Sequence, residues 1–159
     1  MKSYLLSALK RTSAAGREAF DKQHAGDWLV WEAGAWKAPR ARTLVLGSLA
    51  DPALVAAPKG AETLAIALPA QPKVTVGRSH DVDIELNDGT LSGHHLNLFL
   101  STAGQWSIED PGSTNGTRLD GRSLKAGLRM PLHDGAVITA GHVPLTFQTS
   151  EGLWRRLVS

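Results

Sequence analysis

The chain has 159 residues, of which 42% are hydrophobic and 20% charged, with sixteen glycines, eight prolines and no cysteine. That composition suits one soluble globular domain with many turns. It excludes disulfide frameworks, thiolate metal sites, thiol catalysis and iron–sulfur clusters, and a cytoplasmic setting needs no further assumption. The formal net charge is +2, unevenly spread: residues 1–42 hold eight Lys/Arg against four Asp/Glu, the remainder nine against eleven. The basic part reads as the solvated face of a helix rather than a nucleic-acid-binding arm. No apolar run approaches the ~18 residues of a membrane span, so no membrane insertion is expected. The first nine residues faintly resemble a signal peptide, but Lys10-Arg11 ends the apolar run early. The start is therefore read as part of the fold.

Residues 3–23 show helical spacing, with Leu5, Leu6 and Leu9 on one face and Phe20 after a break at Gly16. Residues 27–36 carry three tryptophans (Trp28, Trp31 and Trp36) in two short extended pieces around Gly34. They are read as core anchors, because small domains seldom leave so much aromatic area in water. Residues 39–42 form a linker.

From Thr43 onward the texture is that of short strands: 43–46, 63–68, 73–76, 82–86, 95–100, 105–109, 117–119, 122–124, 136–139 and 143–147. Asp120-Gly121 lies between two of them and is a strong hairpin signal. So many short strands at close spacing imply an antiparallel β-sandwich or barrel. Ser150 is placed to cap a last helix, with Leu153, Trp154 and Leu157 inward and Arg155 and Arg156 outward. The organisation is thus an N-terminal extension (1–42), a β-sandwich (43–150) and a short C-terminal helix (151–159).

Three loop segments combine guanidinium, hydroxyl and glycine-flanked backbone groups, the donors that suit a phosphate. They are Gly77-Arg78-Ser79, Leu91-Ser92-Gly93-His94-His95, and Asp110-Pro111-Gly112-Ser113-Thr114-Asn115-Gly116-Thr117. Other chemistries fit poorly. His94 and His95 are neighbours at a strand start and point to opposite faces, so they do not chelate one metal ion. Ser92, a histidine and Asp110 lack the nucleophile-elbow setting of a hydrolase. No phosphate-binding loop with the Gly-Lys-Ser/Thr ending is present.

Gly77-Arg78, Asp83-Ile84-Glu85-Leu86, Ser92-Gly93-His94-His95, Gly112 to Thr117 and Asp120-Gly121 occur in an order and spacing that resembles the forkhead-associated (FHA) domain. The resemblance runs from about Val74 to Phe147. It implies a two-sheet β-sandwich that binds phosphothreonine peptides through loops at one end, without catalysis, cofactor or metal. Carried over residue by residue, it implies that Arg78 and Ser92 meet the phosphate. Thr114 shapes the loop and contacts the ligand, and Asn115 bonds the peptide backbone beside the phosphothreonine. Gly77, His95 and Gly116 support the loops. Gly93 departs from the pattern, since the family usually has Arg, Lys or Asn there to make another ligand contact. Its own N–H, or Arg118 or Arg122 nearby, is the alternative source of donors. The implied function is a phosphothreonine-dependent signalling or assembly adaptor, whose partners are a phosphothreonine-containing protein and its Ser/Thr kinase. The alternative is a phospho-independent interaction protein that uses the same scaffold and the Trp-rich region.

Overall fold

The computed structural model describes residues 1–32 and 63–159. The expected extended piece around Gly34, the linker 39–42 and the strand 43–46 lie outside the described residues. Elements are numbered here over the described residues.

Two sheets face each other. The first has seven strands in the order β1 (Ser3–Leu5), β3 (Leu64–Ala67), β2 (Trp28–Trp31), β12 (Val143–Gln148), β11 (Val137–Ala140), β8 (Thr117–Leu119) and β9 (Arg122–Ser123). The second has five, in the order β10 (Met130–Pro131), β7 (Trp106–Glu109), β6 (Leu96–Leu100), β4 (Lys73–Gly77) and β5 (Ile84–Glu85). Three helices, α1 (Leu6–Ser13), α2 (Arg17–Gln23) and α3 (Ser150–Val158), complete the described elements. None of them is long and apolar enough to cross a membrane.

The β-sandwich agrees with the sequence reading, with four local corrections. Ser3–Leu5 is a strand, not the first turn of a helix, because it pairs along β3. It thereby sends Leu5 into the sandwich and Tyr4 to the outer face. One pair is parallel: β4 and β5 run together, with Val76 opposite Ile84. The loop between them doubles back along β4, where Asp83 accepts from the Thr75 N–H at 2.8 Å and the Thr75 hydroxyl at 3.0 Å. This fastening also shortens the strand expected over 82–86 to two residues. Finally, α3 is capped by Thr149, one residue before Ser150, through a hydrogen bond from the Gly152 N–H at 3.1 Å. The Ser150 N–H instead donates to Asp27 at 3.0 Å.

Strand β2 shows why Trp-Leu-Val-Trp has no polar alternation. It lies inside the first sheet, bonded to β3 on one side and β12 on the other. Leu29 and Trp31 face the sandwich core, while Trp28 and Val30 face a second core under the helices. A strand buried on both faces reads as a continuous apolar run. The second core brings Leu9 of α1, Phe20 of α2, and Leu153 and Leu157 of α3 onto Trp28, Val30 and Ala65. The helices thus form a third layer. Residues expected as an N-terminal extension supply two strands and two helices to it and to the sheet beneath.

Polar clamps tie the layers. Asp27 accepts from the Trp106 indole N–H at 2.9 Å and from Ser150, joining the second sheet to the start of α3. Glu32 takes both guanidinium nitrogens of Arg156 at 2.7 and 3.1 Å and the Thr146 hydroxyl at 2.7 Å. Burial alone would raise the Glu32 pKa, but these bonds outweigh it and hold the carboxyl below its ordinary value.

Truncating the helix-side anchor tests this layer. Trp28 is 1% exposed, so Trp28→Ala is expected to cost about 3–5 kcal/mol in unfolding free energy by urea titration. Val137 on the same sheet is 47% exposed, and Val137→Ala should stay within about 0.5 kcal/mol.

Candidate functional site

The loops that follow β4, precede β6 and precede β8 meet at one end of the sandwich. Their approach depends first on Gly77. A Cβ there would lie 2.0 Å from the Gly93 carbonyl oxygen and 2.9 Å from that of Ser92, so no larger residue fits without moving the backbone. The close approach is fixed by two hydrogen bonds, Arg78 N–H to the Ser92 carbonyl at 3.0 Å and Ser79 N–H to the Gly93 carbonyl at 3.1 Å.

His95 joins the second loop to the third. Its ring is fully buried. Nδ1 accepts from the Ser92 N–H at 3.0 Å, which leaves the ring hydrogen on Nε2, 2.9 Å from the Gly116 carbonyl. His94, its neighbour, is exposed and turns instead to Asp81, with Nε2 at 3.0 Å from one carboxylate oxygen. The two rings therefore face different ways, as their strand-start position implies.

The third loop is built around Asp110, a residue that the sequence reading did not assign to the site. Asp110 is 2% exposed. It accepts from the Gly112 N–H (2.8 Å), the Ser113 N–H and hydroxyl (both 2.6 Å) and the Thr117 hydroxyl (2.8 Å). Ser113 in turn accepts from the Gly116 N–H at 3.1 Å. Burial raises the Asp110 pKa, and the hydrogen bonds from Ser113, Gly112 and Thr117 more than reverse this, leaving it below its ordinary value. The signal available in the sequence was Asp-Pro-Gly-Ser, since an Asp side chain commonly bonds its own backbone two residues on.

With the loops so held, Arg78, Ser92, Gly93, Thr114 and Asn115 come together. They line an open cleft of about 310 Å³ with Gly89, Thr90 and Leu91. The Ser92 hydroxyl oxygen accepts from the Thr114 N–H at 3.0 Å, which leaves its own hydrogen to donate outward. The Asn115 amide donates to the Thr90 carbonyl at 2.7 Å, which orients its Oδ1 as an acceptor. Arg78 is exposed on the rim. The Ser79 hydroxyl is committed to Asp81, and that carboxyl is held below its ordinary pKa by Ser79 first and His94 second. Gly77, His95 and Gly116 lie behind the cleft rather than on its lining, in supporting positions. Arg118 and Arg122 do not line it.

The cleft offers a cation, hydroxyl groups and a side-chain amide. It offers little for hydrolysis. Both His95 nitrogens are committed to backbone groups, and Asp110 bonds Ser113 and Thr117 rather than a histidine.

The chain is thus a two-sheet β-sandwich whose joined loops hold a donor-rich cleft at one end. Residues 74–141 match the family model of the FHA domain. Over 74 residues the chain is 40% identical to the ABC transporter ATP-binding/permease protein Rv1747 of Mycobacterium tuberculosis, covering 46% of this chain and 8% of that protein. Over 67 residues it is 40% identical to the FHA domain-containing protein FhaB of the same organism, covering 42% of each. The chain thus spans less than half the length of these curated relatives. The N-terminal FHA domain of S. cerevisiae Rad53p, solved in complex with a phosphothreonine peptide, shares the fold. Its TM-score is 0.51 at 23% identity, over 58% of this chain and 89% of that one.

The Asp110 hub predicts an acid-sensitive loop. Its carboxyl has a folded pKa below the unfolded value of ~3.9. Its contribution is therefore complete above that value and is lost as pH falls through the folded pKa. The difference in unfolding free energy between the protein and Asp110→Asn, measured by denaturant titration, should be largest near neutral pH and shrink below about pH 4.

Proposed function

We propose that the protein is a phosphothreonine-peptide recognition module that acts as a signalling or assembly adaptor. The observation that carries this reading is the convergence of Arg78, Ser92, Thr114 and Asn115 on one cleft. In this reading the Arg78 guanidinium supplies the charge and paired donors for the phosphate. The Ser92 and Thr114 hydroxyls donate to the remaining phosphate oxygens. Asn115 bonds the ligand's backbone beside the phosphothreonine through its free carbonyl oxygen. Gly77, His95 and Gly116 act at one remove, by holding the loops in register. The partner is a protein phosphorylated by a Ser/Thr kinase, and the setting is cytoplasmic, which suits a chain without cysteine. No reaction is assigned to the cleft: it binds and does not transform.

Gly93 lines this cleft, where a longer side chain would add a donor. A Cβ at Gly93 would meet only the Ser79 Cβ at 3.5 Å, an ordinary contact. The position is therefore open rather than sterically closed. A hydrogen bond to a charged group is worth roughly 1.5–3 kcal/mol, so its absence corresponds to about one to two orders of magnitude in affinity.

Calorimetric titration with a phosphothreonine peptide library, its unphosphorylated twin and a phosphoserine version tests the reading. The phosphothreonine set should bind in preference to both controls. Arg78→Ala should weaken binding by about tenfold or more without altering the fold. Gly93→Arg should strengthen it by about tenfold or more. Binding should also weaken as pH drops below ~6, where the phosphate takes up its second proton. Equal binding of the unphosphorylated twin, or an Arg78→Ala variant that binds as the parent does, would point to a phospho-independent interaction protein.

A further inference from the structure

His133 stands between two acceptors. Its Nε2 lies 2.7 Å from an Asp120 carboxylate oxygen, and its Nδ1 lies 2.9 Å from the Asp134 carbonyl oxygen. A neutral imidazole carries one N–H and serves only one of them, whereas the imidazolium carries two and serves both. His95 differs, because its Nδ1 faces an N–H donor and a neutral ring satisfies it. The acceptors belong to two parts of the fold that the ring joins. Asp134 is built into the start of α3. Its carboxylate accepts from the Thr149 N–H at 2.9 Å and from Arg155 at 3.2 Å, and it packs on Gly152, where a Cβ would collide with it. Asp120 lies in the turn of the β8–β9 hairpin, the outer edge of the first sheet. Its other oxygen accepts from the Val137 N–H at 2.9 Å. Strand β8 leads from this turn back to Thr117, whose hydroxyl bonds Asp110 in the third loop. Among the described residues, the charged groups around the ring are Asp120 from the hairpin, Asp134 from its own loop and Arg155 from α3. Asp27 shares a small hollow with His133 and Asp134, but it is committed to Trp106 and Ser150.

We infer that His133 is a pH-operated latch: as an imidazolium it fastens the β8–β9 hairpin to the α3 layer, and when it gives its proton to solvent it holds one side only. The fixed half is Asp134, locked against α3. The moving half is Asp120, on a hairpin whose edge strand β9 is two residues long. The charges agree with the geometry. The Asp120 bond first, and the Asp134 carbonyl second, raise the His133 pKa above its ordinary value. The Val137 N–H first, and His133 second, hold the Asp120 carboxyl below its own. A group whose folded pKa exceeds the unfolded value of ~6.5 contributes fully below that value, and the contribution is lost as pH rises through the folded pKa. The latch thus loosens towards alkaline pH, in the opposite sense to the Asp110 hub. It is independent of what the Arg78 cleft binds.

NMR of the full chain between about pH 5 and pH 9 tests it, through the imidazole nitrogen shifts and the protection of backbone amides against hydrogen exchange. His133 should titrate above the ordinary histidine value of ~6.5. Across that titration the protection factor of the Val137 amide, which bonds Asp120 directly, should fall by about two- to fivefold, the range of an exposed ion pair. His133→Gln should remove this pH dependence. Asp120→Asn keeps an oxygen for the Val137 N–H and should return the His133 titration towards ~6.5. His94→Gln is the control: it deletes another exposed His–Asp pair, with Asp81, and should leave the fall at Val137 as in the parent. The inference is overturned if His133 titrates at or below ~6.5, if Val137 protection is flat across its titration, or if His133→Gln shows the same fall as the parent.

Discussion

The cleft depends on one buried imidazole. Strands fix the positions of their own ends, but they do not fix the loops between them. Here the loop before β6 and the loop before β8 are held at a set distance by the ring of His95, which accepts from Ser92 and donates to Gly116. A planar ring with one donor and one acceptor permits one tautomer and one orientation. The Ser92 hydroxyl and the Thr114–Asn115 backbone then meet across a gap that neither loop controls alone. The Thr114 N–H bond to Ser92 and the Asn115 bond to Thr90 close the same gap from the cleft side. An unpaired polar group in the space that His95 fills would cost about as much as a lost hydrogen bond, so the bridge supports the fold as well as the site.

The far side of the first sheet shows how the ends of the chain serve this scaffold. The outer face of β2 and β3 carries Trp28, Val30 and Ala65, which water would otherwise wet. Helices α1 and α2 from the beginning of the chain and α3 from its end cover that face together. Arg17 of α2 joins them by pairing with Asp21 at 2.8 Å and with Glu151 of α3 at 3.0 Å, and it also lies over the Trp154 ring. The positive excess of residues 1–42 is thus partly spent inside the helical layer. Lys10 and Arg11 stand in the last turn of α1, where the helix dipole favours cations. That is an account of helix stability.

The parts of this structure that were legible in the sequence are those set by local chemistry. Asp120-Gly121 signalled a hairpin, and both residues have positive φ, 51° and 83°, as such a turn requires. Short β-prone runs between turn residues marked β6 and β7, and motif order located Arg78, Ser92, Thr114 and Asn115. What was not legible depends on partners remote in the chain. Ser3–Leu5 is a strand only because β3 lies beside it, more than fifty residues on; alone, its apolar spacing fits a helix equally well. Asp27 is an unremarkable polar residue until Trp106 and Ser150 are brought to it. Asp110 was visible as a turn residue, but its four bonds follow from burial that the sequence does not display.

Preorganisation decides how much the substitution at Gly93 matters. Ordering a flexible side chain on binding costs about 0.5–1.5 kcal/mol each. In this protein much of that ordering is completed by folding. Asp110 holds the third loop, His95 spaces it from the second, and Asn115 is anchored to Thr90 before any ligand arrives. Two or three side chains ordered in advance offset about as much free energy as one missing charged hydrogen bond, roughly 1.5–3 kcal/mol. On the proposed reading, glycine at position 93 removes a contact and leaves the loops that would have carried it intact. The consequence falls on selectivity. With fewer donors on the phosphate, a smaller share of the binding energy is common to all phosphothreonine ligands. A larger share comes from whatever the rest of the peptide touches, so discrimination between partners shifts from the phosphate towards the residues that flank it.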